Sequence, residues 1–237
     1  MRTIPRLIYL SVLFQFLFTT AYSANHYVDK NANGLNNGSS WTNAWESLSA
    51  INWGSVNPGD VIYISGGTDS TVYYETLNVG ANGSSENPIT IRNSYETGHY
   101  GRVIIDGQFT RDIGIYLNGR DYIYLKGFEV RNHAEGSSSG AVYLYVNAVG
   151  NTLDSLIVTE NLGRGITLRG NNSTATGSAV DGTVIKNCRI VTPLDVPYQT
   201  DAIYGHDCAN TTIDNSLVWA RNLSLVNNHS DGLQGYE

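Results

Sequence analysis

Two aspartates stand in the same local setting thirty residues apart, Thr200-Asp201-Ala202-Ile203 and Ser230-Asp231-Gly232-Leu233. If equivalent positions of a repeat bring them one strand spacing apart, about 5 Å, the two carboxylates couple. One pKa then rises, or a cation is recruited. A carboxylic acid held protonated can act as a general acid, and a carboxylate pair can hold Ca²⁺. His206 follows the first step and His229 precedes the second, and a histidine beside a carboxylate can shuttle protons near neutral pH. Asp201, His206, His229 and Asp231 are therefore the candidate catalytic residues, with Asp201 and Asp231 the candidate Ca²⁺ ligands. A second reading stays open: Arg164, at the matching position of the preceding repeat, could neutralise Asp201 and make the arrangement structural. Aspartate also opens turns by bonding local backbone.

A second set of residues could hold a ligand. A small residue followed by an apolar one recurs at Gly114-Ile115, Ala141-Val142, Gly165-Ile166, Ala202-Ile203 and Gly232-Leu233. With the apolar residue inward, alternation sends the next position and the one two further on outward. The outward columns read Tyr116, Tyr143, Thr167, Tyr204, Gln234 and Asn118, Tyr145, Arg169, His206, Tyr236. A tyrosine offers a ring face to sugar C–H groups and a hydroxyl for hydrogen bonds. Tyr116, Tyr143, Tyr145, Arg169, Tyr204, Gln234 and Tyr236 are thus the candidate substrate-binding residues. The competing reading is an ordinary exposed sheet, since tyrosine favours strands and is abundant here.

The elements that must carry these columns are repeats. An apolar residue, a kink bearing Gly, Asn or Ser, and a second apolar residue five positions later recur at Leu125–Val130, Leu153–Val158, Ile185–Ile190 and Ile213–Val218. Helical periodicity is nearly absent after residue 55. Two interleaved strand types returning every 25–35 residues describe a coil that climbs one strand spacing per turn, each strand pairing in parallel with its equivalent. Leu125, Leu153, Ile185 and Ile213 should stack as one inward column. Gly127, Ser155, Asn187 and Asn215 should occupy the bends, where amides can hydrogen-bond along the axis. The fold class expected is all-β, a right-handed parallel β-helix. An open solenoid end needs a cover. Trp41, Trp45, Leu48 and Ile51 fall at helical spacing, predicting a capping helix over 41–51 that plugs the first coil. A sugar platform is the rival use of these tryptophans.

Around this domain, Arg2 and Arg6, an apolar run from Leu7 to about Phe18, and Ala21-Tyr22-Ser23 read as a signal peptide over 1–23. The run is shorter than the roughly 20 apolar residues a membrane span needs. The expected product is a secreted, monomeric chain of residues 24–237. It carries 12 basic against 21 acidic side chains, a charge of −9. With no basic stripe, nucleic acid is not an expected partner. Cys188 and Cys208 are the only cysteines; an oxidised pair and two small buried side chains are both compatible with export. The last unit, Asp231–Tyr236, breaks off without a closing turn, which reads as part of a longer protein.

The run Tyr27-Val28-Asp29, the Asn/Gly-rich turn 31–40, Trp41, Ala44-Trp45, Leu48 and Pro58-Gly59-Asp60-Val61-Ile62-Tyr63-Ile64 resemble secreted bacterial β-helix proteins of the pectate-lyase-like superfamily. Pro88–Ile91 and Val103–Gly107 continue the pattern. The resemblance implies the β-helix fold and a polysaccharide partner, with lyases, glycoside hydrolases and non-catalytic adhesins all represented. For a lyase it implies Ca²⁺ on Asp201 and Asp231, pairing a uronate carboxylate, with His206 or Arg169 facing the sugar. For a hydrolase the two aspartates would divide acid and base or nucleophile roles. The Thr-Asp-Ala-Ile step is similar to the catalytic-aspartate step of polygalacturonases, but their following Asp-Asp, Gly-His-Gly and Arg-Ile-Lys steps are missing. A non-catalytic adhesion module with weak glycan binding is the alternative function.

Overall fold

A computed structural model of the protein describes residues 23–136, 140–171, 179–192, 200–220 and 233–236, the last group by backbone and the exposure of Leu233. The expected signal peptide lies outside the described residues, apart from Ser23. So do His229 and Asp231.

Every strand pairing in the described chain is parallel, and three sheets run the length of one coil stack. The first holds Asn25–Val28, Val61–Ile64, Ile89–Asn93, Ile123–Lys126, Thr152–Asp154, Val184–Lys186 and Thr212–Asp214. The second holds Ser70–Tyr73, Arg102–Asp106, Phe128–Arg131, Ile157–Thr159, Arg189–Thr192 and Leu217–Ala220. Leu77–Asn78, Ile115–Asn118, Gly140–Tyr145, Arg164–Arg169, Ile203–His206 and Leu233–Tyr236 form the third. The parallel β-helix is thus the fold, but with three strand types rather than two. The unit read as one strand with a kink is two strands in two sheets, divided at the bend.

Backbone chemistry explains the division. Gly127, Ser155, Asn187 and Asn215 all have φ between 43° and 81°, the left-handed conformation that glycine and asparagine adopt at least cost. Such a residue turns the chain between sheets while its backbone stays paired: the N–H groups of Gly127, Ser155 and Asn187 donate to Asp154, Lys186 and Asp214 on the next coil. Asn215 Nδ2 donates to Asn187 Oδ1 at 2.8 Å, and Asn187 Nδ2 to Asp154 Oδ1 at 3.0 Å. At Gly127 a Cβ would come within 2.2 Å of Asn93 Oδ1, so the missing side chain leaves room for the preceding amide.

The core follows the columns. Leu125 pairs with Leu153, Leu153 with Ile185 and Ile185 with Ile213. Val130, Val158, Ile190 and Val218 align five residues later. Leu125, Leu153, Ile185, Val130, Val158 and Ile190 are fully buried. Burial of one such side chain contributes about 1.5–3 kcal/mol, so stacking supplies the main stabilisation. Cys188 sits in this core as a free thiol, its Sγ 3.5 Å from the Leu153 carbonyl, and Cys208 is also free.

The first coil is covered, though not by a helix. Residues 41–51 form turns, and no α-helix occurs among the described residues. Trp45 bridges to Val28: its N–H donates to the Tyr27 carbonyl and its carbonyl accepts from Asp29 N–H, both at 2.9 Å. A helix would spend those groups internally and leave the edge of Asn25–Val28 unpaired. Trp45, Leu48 and Ile51 still plug the opening, at 5% exposure or less. Trp41 does not. Its ring stacks on His99 at 3.8 Å, and its indole N–H donates to Glu96. A single 3-10 turn, Trp53–Ser55, follows. No described helix is long and apolar enough to cross a membrane.

Candidate functional site

The outer face of the third sheet carries the predicted columns in the predicted register. Tyr116 pairs with Tyr143, Tyr143 with Thr167, Thr167 with Tyr204 and Tyr204 with Gln234. Asn118, Tyr145, Arg169, His206 and Tyr236 align likewise. The inward partners Ile115, Val142 and Ile166 are fully buried, which fixes the direction of their neighbours.

Direction and accessibility part company in the first column. Tyr143 is 7% exposed, Tyr204 9% and Thr167 0%, so from Tyr143 to Tyr204 this column is a covered layer rather than a platform, while Tyr116 at its start is partly exposed. Tyr116 and Tyr143 stack at 5.4 Å, and Tyr143 meets the Tyr145 ring at 5.3 Å. Burial pushes the Tyr143 phenol up to about 12 and raises that of Tyr116 as well. Both are neutral hydroxyls at ordinary pH, able to hydrogen-bond but not to act as phenolate. Besides Tyr116, the reachable residues are in the second column: Asn118 is exposed, and Tyr145, Arg169 and His206 are partly so. Alternation reveals which way a side chain points, not what lies over it.

Asp201 sits under the start of the strand Ile203–His206. Its side chain is fully buried, and Arg164 Nε donates to its Oδ2 at 3.4 Å. The Arg164 guanidinium lies over the Tyr204 ring, 3.7 Å from the centroid. This is the neutralising partnership raised from the sequence as the structural alternative. His206 and Tyr204 have near-parallel rings 6.5 Å apart. The Ile203–Leu233 register continues the alignment toward Asp231, which with His229 is not described; Gln234 and Tyr236 are placed by backbone pairing alone. Among the described residues no group of three or more His, Cys, Asp or Glu side chains is arranged to hold a metal ion. Asp201 faces Arg164, and Asp231, the second expected Ca²⁺ ligand, lies outside the described residues.

One contributor escaped the sequence reading, and a second was read only in part. Asn78 extends the first outward column, pairing with Tyr116. Its strand, Leu77–Asn78, has two residues and lacks the small-apolar step that marks the others. Arg164 was visible as a countercharge, but its stacking on Tyr204 depends on a neighbouring coil.

A family model for Pel9A-like right-handed β-helix regions matches residues 26–202. Among solved structures the chain is similar to the pectate lyase Pel9A, with 22% identity and a TM-score of 0.50 over 78% of this chain and 54% of that one. A rhamnogalacturonan lyase matches with 16% identity and a TM-score of 0.55 over 91% and 63%. The GH136 lacto-N-biosidase from Eubacterium ramulus matches with 14% identity and a TM-score of 0.55 over 83% and 43%. The chain therefore spans between 43% and 63% of the length of these structures, and the likenesses concern the fold. No curated protein sequence matches significantly.

Proposed function

Because the chain belongs to the Pel9A-like right-handed β-helix family, we propose that it is the β-helix of a secreted polysaccharide-active protein that binds an extended, uronate-containing chain. The ligand lies across the third sheet along Asn118, Tyr145, Arg169 and His206. The observation that carries this reading is the run of Tyr145, Arg169 and His206, partly exposed and in register on three successive strands. Tyr145 supplies an aromatic edge and a hydroxyl. Arg169 supplies a planar donor fork matched to a sugar carboxylate.

For cleavage we favour β-elimination. A uronate carboxylate paired with Arg169 has its C5–H acidified, and His206 accepts that proton. The C4–O4 bond then breaks, a C4=C5 double bond forms, and the departing oxygen is protonated from solvent. Similarity to two proteins named as lyases supports this choice.

The purified protein should be incubated with polygalacturonate, rhamnogalacturonan, alginate and a neutral glucan, with and without a chelator. Ultraviolet absorbance of unsaturated uronates is expected with at least one acidic polymer. Reducing ends without absorbance would replace elimination by hydrolysis. Binding without either product would support the adhesion reading, which the burial of Asp201 against Arg164 favours.

A further inference from the structure

The outward face of the third sheet begins one strand before Tyr116, beside a cavity. In Leu77–Asn78 the fully buried Leu77 points inward, so Thr76 and Asn78 face out. Ser49 and Trp53, from the cover of the first coil, close over them to form a cavity of about 320 Å³, lined also by Val79 and Gly80. Trp53 is held against the wall: a Cβ on Gly80 would lie 2.5 Å from the indole Cγ, so only glycine admits the ring there.

Charge separates this end of the face from the other. No lysine or arginine lines the cavity. The Thr76 hydroxyl is committed to the Ile113 carbonyl at 2.7 Å. At the adjoining Ser49, the backbone N–H and the hydroxyl both donate to one oxygen of Glu75, at 3.0 and 2.9 Å. Arg169 stands three strand spacings away, about 14 Å, through the pairings Asn78–Tyr116, Tyr116–Tyr143 and Tyr145–Arg169.

We propose that this cavity is a sugar subsite selective for an uncharged pyranose, at the end of the bound chain remote from Arg169; the assignment rests on the third-sheet groove proposed above. The indole takes the apolar C–H face of the ring, and the exposed Asn78 amide can donate to and accept from ring hydroxyls. The volume falls at the lower end of small-ligand cavities and suits one sugar ring rather than two. A uronate there would lie near the Glu75 carboxylate that Ser49 holds behind the cavity wall, with no lysine or arginine lining the cavity to offset it, and like charges disfavour occupancy. The preferred ligand is therefore a heteropolymer, or an acidic chain ending in a neutral residue.

Methyl galactopyranoside and methyl galacturonopyranoside differ only at C6 and are the probes, read by ligand-observed saturation-transfer NMR on the intact protein. The galactoside is expected to give a signal that falls roughly five-fold or more in Trp53→Ala and in Asn78→Ala. Trp53→Phe should retain part of it. Asn78 is exposed, so its substitution leaves packing intact if Trp53→Ala proves unstable. Signal from the galacturonide should not depend on either residue. A galactoside signal that survives both substitutions, or a galacturonide signal equally dependent on them, overturns the assignment. Tetragalacturonate binding to Arg169→Ala separates the two claims. If Arg169→Ala binds like wild type while Trp53→Ala loses the galactoside, the groove falls and the cavity stands as a separate sugar site. The converse pattern removes the cavity and keeps the groove.

Discussion

Arg164 and Asp201 form an ion pair whose carboxylate is wholly shielded from solvent and whose guanidinium carries Tyr204 on its face. Removing one member leaves the other as a buried charge, which costs far more than the pair itself contributes. Asp201→Asn should therefore lower unfolding free energy by about 3–5 kcal/mol in denaturant titrations. Arg164→Met combined with Asp201→Leu should cost less than Asp201→Asn alone. A catalytic Asp201 would show the opposite: large loss of turnover with an unchanged unfolding midpoint.

Tyr145→Ala and Arg169→Ala should each weaken binding of an acidic oligosaccharide by roughly ten-fold, about 1.4 kcal/mol, with little change in melting temperature, since both side chains are partly exposed. Added salt should erase much of the Arg169 effect and little of the Tyr145 effect. Calorimetric titration at two ionic strengths distinguishes them. Equal salt sensitivity would remove the charge-pairing role of Arg169.

At the corner between the first and second sheets, Asn187 combines a φ of 55° with two ladder hydrogen bonds. Asn187→Ala loses the bonds and keeps a Cβ in the left-handed region, so it should cost about 2 kcal/mol. Asn187→Gly loses the bonds but not the conformation, and should cost less. Chemical denaturation of both variants gives the order. Alanine no worse than glycine would mean the backbone angle is not limiting.

His133 is buried at the turn that follows the second sheet, its Nδ1 3.1 Å from Asn161 Oδ1. Burial is the largest influence and lowers its pKa from 6.5 to about 4; Asn161, Asp106 and Asp112 pull it back upward, and Arg111 lowers it further. The folded protein thus refuses a proton that the unfolded chain accepts. The stability that this contributes is complete above pH 6.5 and is lost as pH falls toward 4. The slope approaches about 1.4 kcal/mol per pH unit. Unfolding free energies of wild type and His133→Gln should converge over that window. Parallel profiles would show that His133 titrates alike in both states.

The stacking of coils was legible in the sequence because it depends only on the spacing of apolar residues: Leu125, Leu153, Ile185 and Ile213 pair as their positions require. The outward columns were legible for the same reason. Three features were not. The apparent single strand Leu125–Val130 hides a left-handed residue at its centre, and residue type alone does not reveal that the chain changes sheet there. Helical spacing over Trp41–Ile51 is a weak signal beside an unpaired strand edge that captures Trp45. The burial of Tyr143 and Tyr204 depends on what lies over the sheet, which no local pattern encodes.

From Leu125 onward the corner joining the first and second sheets has a fixed length: Leu125 to Val130, Leu153 to Val158, Ile185 to Ile190 and Ile213 to Val218 are each five positions, whereas in the two coils before, it spans eleven, Ile62 to Tyr73, and fourteen, Ile91 to Ile105. The connections on either side of the third sheet vary. From second to third they run from four positions, Tyr73 to Leu77, to fifteen, Val218 to Leu233; from third to first they run from ten, Ile115 to Leu125, to nineteen, Ile166 to Ile185. An insertion or deletion of one residue at the fixed corner would turn core side chains outward. The same change beside the third sheet lengthens or shortens a surface loop at small entropic cost. Descendants of this chain can therefore raise, lower or reshape the walls flanking the tyrosine face without disturbing the coil stack, and divergence in ligand preference should be recorded there as gaps in alignment rather than as substitutions in the core.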